Sequence, residues 1–312
     1  MKKFIASIVA VVFLLIPLSL TAYDKDPGRF GDFEEVIGDD YFSPVTPKDY
    51  VNLETKVCRV LVLGTAEGLY PSYTAKEGYH RHRGVGTYAQ SGSTWHLGKG
   101  YWVTNAHVVI PKAVSIQTDN VVTWIVDIDK IVSREIIIGN GGIGQAPAEI
   151  VFIDEEKDLA MLKIKGNWPA MEELQYKIAP TFDSDGSYIH EGDSIAVIVA
   201  KRENPQAGEF DKTSWFEVRY GKIVALKPIV PKGVSTDLLP WFSLYDVTTD
   251  LQIYPGDSGS PIFAFKNGTP VIIGVARAIA QNYNWETGEY TWYSYFTRID
   301  SICYKQLEKE GK

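Results

Sequence analysis

The segment Pro255-Gly256-Asp257-Ser258-Gly259-Ser260-Pro261 combines a hydroxyl with the small residues that a tight turn needs. A serine becomes a nucleophile when a turn exposes its Oγ and backbone N–H groups point at the oxyanion formed by attack. Gly256 lets the backbone approach a substrate carbonyl, and the N–H groups of Gly256 and Ser258 are the natural donors. Gly, Ser and Pro also cluster in turns that do no chemistry, so the reading depends on a base. The chain has five histidines, His80, His82, His96, His107 and His190. His107 stands in Thr104-Asn105-Ala106-His107-Val108-Val109, at the end of an apolar strand, from which an imidazole can reach into a cleft. The third group must orient the imidazole and stabilise its cation. Asp158, in Lys157-Asp158-Leu159-Ala160-Met161-Leu162, precedes an apolar strand where a carboxylate can be half-buried, whereas Asp154 lies in an acidic stretch expected to be solvated. The expected triad is therefore His107, Asp158 and Ser258.

Chain order separates the hydrolases that use such a triad. An α/β-hydrolase carries Gly-x-Ser-x-Gly and places its histidine after the serine. Here position 260 is Ser and no histidine follows Ser258. The order His, Asp, Ser is that of the chymotrypsin fold. Neither Cys58 nor Cys303 sits in a nucleophile motif, and no His-Glu-x-x-His occurs. His80, His82 and His96 form the one alternative metal cluster. Alternation puts the rings of His80 and His82 on one side of a strand, but Arg81 and Arg83 repel cations and no carboxylate adjoins. No metal and no cofactor is expected.

These groups need a scaffold, and the pattern supplies strands. Short apolar runs split by turn residues cover Val57–Leu63, Gly84–Ala89, Tyr101–Thr104, Val114–Gln117, Val121–Val126, Glu135–Ile138, Ala148–Ile153 and Leu159–Ile164. After a connection from Lys165 to Glu191 a second set covers Ser194–Ala200, Trp215–Leu226, Ser243–Thr249, Pro261–Phe265, Pro270–Ile279 and Tyr290–Thr297. Lys266-Asn267-Gly268-Thr269 reads as a hairpin turn, because Asn-Gly suits positive φ. Ile299, Ile302, Cys303 and Leu307 share one face of a short C-terminal helix from Arg298 to Glu310. Two sets of strands with a break between them imply an all-β chain of two packed barrels or sandwiches.

Outside the strands the sequence sets its surroundings. Lys2 and Lys3 precede an apolar run, Phe4 to Leu20, and Ala22 offers a cleavage point, so residues 1–22 are expected to be an export signal. Left uncleaved, residues 4–23 are long enough to anchor the chain in a membrane. Residues 23–54 form an acidic, turn-rich extension. A formal charge of −8 with no long basic run makes nucleic acid a poor partner. Cys58 and Cys303 fit either a bridge formed in an oxidising compartment or two buried thiols.

From Gly84 to Ile299 the chain resembles the trypsin-like serine protease superfamily, and within it the HtrA/Do-like branch. The resemblance rests on Gly98–Val109 around His107, Asp158–Ile164, Asp183-Ser184-Asp185 with Glu191-Gly192-Asp193, Gly221–Leu226, Thr249–Ser258 and Tyr295–Ile299, in that order. It implies two six-stranded antiparallel β-barrels, the first over residues 55–165 with His107 and Asp158, with residues 166–312 supplying a linker, the second barrel with Ser258 and the C-terminal helix. It also implies a serine endopeptidase acting on polypeptide substrates in the periplasm or outside the cell. Such a chain without turnover would be a two-barrel binding module. There are departures. Asp257 stands where the HtrA branch has Asn, and Ser260 where it has a second Gly, and no PDZ domain is expected after the second barrel. No Ile-Val-Gly-Gly activation segment precedes His107. The resemblance also places Gln252, the strand Gly274–Ile279 and Ser294 around the pocket for the side chain before the cut. A neutral Gln252 predicts a small or medium uncharged residue there. Arg277 turned into the pocket predicts Asp or Glu instead, and turned outward it is a surface charge.

Overall fold

The computed structural model describes residues 57–74, 78–98, 100–118, 122–140, 144–166, 189–200, 216–229, 245–254, 256–266, 269–284 and 289–299. The export segment, the acidic extension, Cys303 and the expected C-terminal helix beyond Ile299 lie outside them. The described part is almost wholly β. The first set of strands is β1 (Val57–Thr74), β2 (Gly78–Gly98), β3 (Tyr101–Thr104), β4 (Ala113–Thr118), β5 (Val122–Asn140), β6 (Gly144–Asp154) and β7 (Leu159–Ile164), with a single helical turn α1 (Ala106–Val109) after β3. The second set is β8 (Ser194–Ala200), β9 (Phe216–Ala225), β10 (Asp246–Thr249), β11 (Pro261–Lys266), β12 (Thr269–Asn284) and β13 (Glu289–Arg298).

Each set closes into a six-stranded antiparallel barrel. In the first, the order β1-β2-β3-β7-β6-β5 returns to β1, and β4 pairs with β5 outside that ring. In the second, the order is β10-β13-β12-β11-β8-β9. This is the fold that the resemblance implied. Several strands run longer than the sequence suggests. The described part of the first run, Val122 to Val126, and the run Glu135–Ile138 belong to one strand, because Ile128 to Arg134 keep pairing with β1 through two register shifts. Bulges let a barrel strand bend while its solvent face carries charge, and charged Asp129, Lys130 and Glu135 on that exposed face imitate a turn in sequence. β1 and β2 likewise continue as a hairpin from Val57↔Trp95 to Thr74↔Gly78. Arg298, assigned to the helix from sequence, is the last residue of β13.

Packing explains why the strands around the site are apolar on both faces. Trp102, Ala160 and Leu162 point into the core of the first barrel. Their neighbours Tyr101, Val103, Leu159 and Met161 point the other way, onto Ile198, Phe263, Ile272 and Val275 of the second barrel. On β8, Ile195, Val197 and Val199 fill the second barrel, while Ile198 and Ala200 face the first. With a side-chain period of two, such strands lie between two apolar layers, and each large side chain buried there contributes about 1.5–3 kcal/mol. The seam between the barrels is therefore a core of its own, and the candidate residues lie beside it. Among the described residues no helix is long and apolar enough to cross a membrane.

Candidate active site

β3 ends at Thr104, and Asn105 (φ −78°, ψ 150°) turns the chain into α1. The Asn105 side chain does not cap the helix. Its Nδ2 donates to the carbonyl of Asp158 at 3.0 Å, and the Ala106 N–H donates to the same oxygen at 3.1 Å. These bonds join α1 to the turn that ends on Asp158, whose backbone is left-handed at φ 53°. Asp adopts that conformation more readily than most residues. Asp158 then grips His107 at two points. Its Oδ1 accepts the His107 backbone N–H at 2.8 Å, and its Oδ2 lies 2.7 Å from Nδ1. An ionised carboxylate facing Nδ1 holds the ring proton there and leaves Nε2 unprotonated. Burial acts to raise the Asp158 carboxyl, but His107 and then Arg277 outweigh it and hold the group below the usual carboxylate range.

The serine turn is pinned by both barrels. Ser93 on β2 donates its N–H to the Ser258 carbonyl at 2.7 Å, and Gly259 donates to the carbonyl of Ala276 on β12 at 2.9 Å. Two glycines make the turn possible. Gly256 and Gly259 have φ 89° and 91°, and a Cβ on Gly259 would overlap the Ser93 carbonyl oxygen. Ser258 itself is buried, and its hydroxyl donates to the carbonyl of Arg277 at 3.1 Å. Among the described residues the N–H groups of Gly256 and Ser258 donate to no partner. The Gly256 carbonyl accepts from Arg59 Nη1 at 2.6 Å, so that peptide is held from behind.

Asp257 is directed away from the serine, into the second barrel. Its Oδ2 accepts the Tyr254 N–H at 2.6 Å and the Arg219 Nη2 at 2.6 Å, with both side chains buried. Arg219 also donates to the Gln252 carbonyl and lies 4.7 Å over the Tyr254 ring. The Asp that departs from the HtrA pattern is thus one half of a buried ion pair that braces residues 252–257.

Arg277 faces inward, but onto carboxylates. It is the extra residue of a β-bulge between Ala276 and Ala278. Its Nε lies 3.1 Å from Asp158 Oδ2, and its Nη1 donates to Asp246 on β10. The two outcomes expected from sequence were a pocket cation and a surface charge; the side chain is 11% exposed and engaged with both acids. Gln252 is exposed, with its Oε1 accepting from the Tyr254 hydroxyl at 2.9 Å. Ser294 is fully buried on β13, and its Oγ has no hydrogen-bond partner among the described residues. Asp154, expected to be solvated, is half-buried and accepts the Lys157 N–H at 3.0 Å, which closes the turn before Asp158.

The remaining histidines stand apart. The rings of His80 and His82 are 6.4 Å apart on β2, while His96 is buried against Trp102 at 5.0 Å. Among the described residues no three His, Cys, Asp or Glu side chains form a metal-binding group. Sequence reasoning missed Asp246, Arg219 and Arg59 as neighbours of the site. For Arg59 the sequence signal is a charge inside an otherwise apolar run, Val57-Cys58-Arg59-Val60; Arg219, on a strand that also carries Glu217 and Lys222, and Asp246, at the start of its strand, have no such mark.

Comparison with known proteins adds a family. Nothing among curated proteins matches the chain. Among solved structures it is similar to the HtrA-type protease AlgW with a decapeptide, at 20% identity and a TM-score of 0.44, over 81% of this chain and 64% of that one. A variant of AlgW, also with a decapeptide, is similar at 17% identity and a TM-score of 0.46, over 84% of this chain and 68% of that one. The chain thus spans under two thirds of the first of these proteins. The trypsin-like peptidase domain matches residues 90–275, more than half of the chain and a stretch that contains His107, Asp158 and Ser258, and the protein belongs to that family.

Proposed function

We propose that the protein is a serine endopeptidase. In this reading Ser258 Oγ attacks the carbonyl of a peptide bond. His107 Nε2 takes the hydroxyl proton and later gives it to the leaving amine, and Asp158 holds the imidazole and stabilises its cation. The N–H groups of Gly256 and Ser258 receive the oxyanion. The observation that carries the reading is the two-point grip of Asp158 on His107, at 2.8 and 2.7 Å, together with a serine turn in which the Gly256 and Ser258 N–H groups are unengaged among the described residues. The hydroxyl must turn from the Arg277 carbonyl toward Nε2 before attack. Catalytic hydrogen bonds commonly tighten only when substrate is bound.

That bond between Ser258 and the Arg277 carbonyl also favours a second reading, a two-barrel module that binds peptides without cleaving them. Labelling by a fluorophosphonate separates the two. Covalent label on Ser258 supports the endopeptidase, and an unlabelled, folded chain overturns it. Cleavage of a peptide panel varied at the residue before the cut tests specificity. With Gln252 neutral and the charge of Arg277 engaged by Asp158 and Asp246, small or medium uncharged residues are preferred. Strong preference for Lys, Arg or Glu there contradicts that pocket.

A further inference from the structure

A buried cation on a catalytic carboxylate is not required by the triad chemistry, which needs Asp158 only to face His107. Here Arg277 Nε approaches Oδ2 of Asp158, the same oxygen that lies 2.7 Å from the imidazole Nδ1. The guanidinium therefore shares with His107 the charge of one oxygen. On its other side it is held by Asp246, whose second oxygen accepts from Thr297 Oγ1 at 3.2 Å. The backbone carbonyl of the same Arg277 accepts the Ser258 hydroxyl. One bulged residue thus touches the nucleophile with its main chain and the carboxylate with its side chain. The bulge is what turns both groups toward the site.

We propose that Arg277 is a positioning residue of the triad: held by Asp246, its guanidinium ties the Asp158 carboxylate to the second barrel and sets how strongly that carboxylate stabilises the His107 imidazolium. The role follows from sign. A cation on Oδ2 offsets part of the negative charge that favours the protonated ring, and Asp246 in turn offsets part of the cation. Among the described residues, the other charged or titratable groups near this cluster are Lys157 and Asp154 on the turn before β7, Tyr245 under the Lys157 ammonium at 4.6 Å, and Tyr293 and Tyr295 on β13. None of these lies between Arg277 and Asp158, which act on each other directly. The proposal rests on the endopeptidase reading for its catalytic meaning, but the charge coupling can be measured without turnover.

The test is the titration of His107 by histidine-selective NMR in a Ser258→Ala background, with the resonance assigned by its loss in His107→Gln. Arg277→Gln is expected to move the midpoint up, and Asp246→Asn to move it down, each by about one pH unit, the scale of a neighbouring charge in a buried site. The double variant, which removes the buried pair together, falls between them. If Arg277→Gln does not fold, Asp246→Asn and the double variant still decide the matter, since the first must move down and the second must lie above it. Midpoints that do not move, or that move the same way in both single variants, overturn the proposal. In chains that keep Ser258, the acidic limb of kcat/KM follows the same order, and Arg277→Lys restores it toward that of the parent. Opposed NMR shifts in a protein without hydrolysis support Arg277 and sink the endopeptidase. Hydrolysis with unsplit midpoints does the reverse.

Discussion

At the scale of single residues, Asp154 and Asp158 show how environment divides two like side chains. Asp154 closes a turn through the Lys157 N–H, while Asp158 is buried between His107 and Arg277. Asp154→Asn is therefore expected to leave kcat nearly unchanged, whereas Asp158→Asn lowers it by about 10⁴-fold and Ser258→Ala by about 10⁶-fold. Steady-state kinetics of the three variants checks the order, and a greater loss in Asp154→Asn moves the triad. Asp158 also links stability to pH. Its carboxyl titrates below the usual value when folded, because His107 and Arg277 outweigh burial. Just below about pH 4, the ordinary Asp value, the unfolded chain then binds the proton that the native chain still excludes. The stabilisation is present above that pH and is lost as pH falls through the lower folded value. The Tm gap between the parent and Asp158→Asn should narrow below about pH 4; a gap that widens there contradicts the assignment. The proposed triad could be picked out as a candidate because its three members each sit in a local segment of distinctive type. Arg277 was not, because its partners Asp158 and Asp246 are 119 and 31 residues away, and no local pattern reports a contact of that kind.

Elements decide whether these side chains meet. The turn from Gln252 to Ser258 is not held by regular pairing but by the Arg219–Asp257 ion pair, with Arg59 on the Gly256 carbonyl. Removing one partner of a buried pair leaves the other uncompensated, at a cost of about 3–5 kcal/mol. Arg219→Met should therefore destabilise the fold by that order in urea titrations. It should also lower kcat by about 10²-fold with little change in KM, since loosened oxyanion donors act on the transition state. A rise in KM at constant kcat would instead give Arg219 a role in substrate binding. Strand existence was readable from apolar periodicity, as β3, β7 and β8 show with bounds that coincide with their apolar runs. Strand length was not. β5 carries charges on its open face through two register shifts, and the β12 bulge that aims Arg277 has no sequence mark of its own.

The described residues form two barrels around a shared apolar seam, with Trp95, Tyr101 and Met161 of one packed on Ile198, Phe263 and Val275 of the other. Export, proposed from residues 1–22, is tested by mass spectrometry of the secreted chain, which should begin near Tyr23; an intact N-terminus in a membrane fraction supports an anchor instead. The seam puts His107 and Asp158 on one barrel and Ser258 and Arg277 on the other, joined by the Ser93–Ser258 bond at 2.7 Å. A ribosome delivers these halves in sequence. The strands of the first barrel can pair once Ile164 has emerged, before Ser258 has been made, and β12 begins eleven residues after Ser258. On the endopeptidase reading, a half-made chain is thus chemically mute, and the capacity to cut other proteins would arrive late in synthesis, at the moment the two barrels dock.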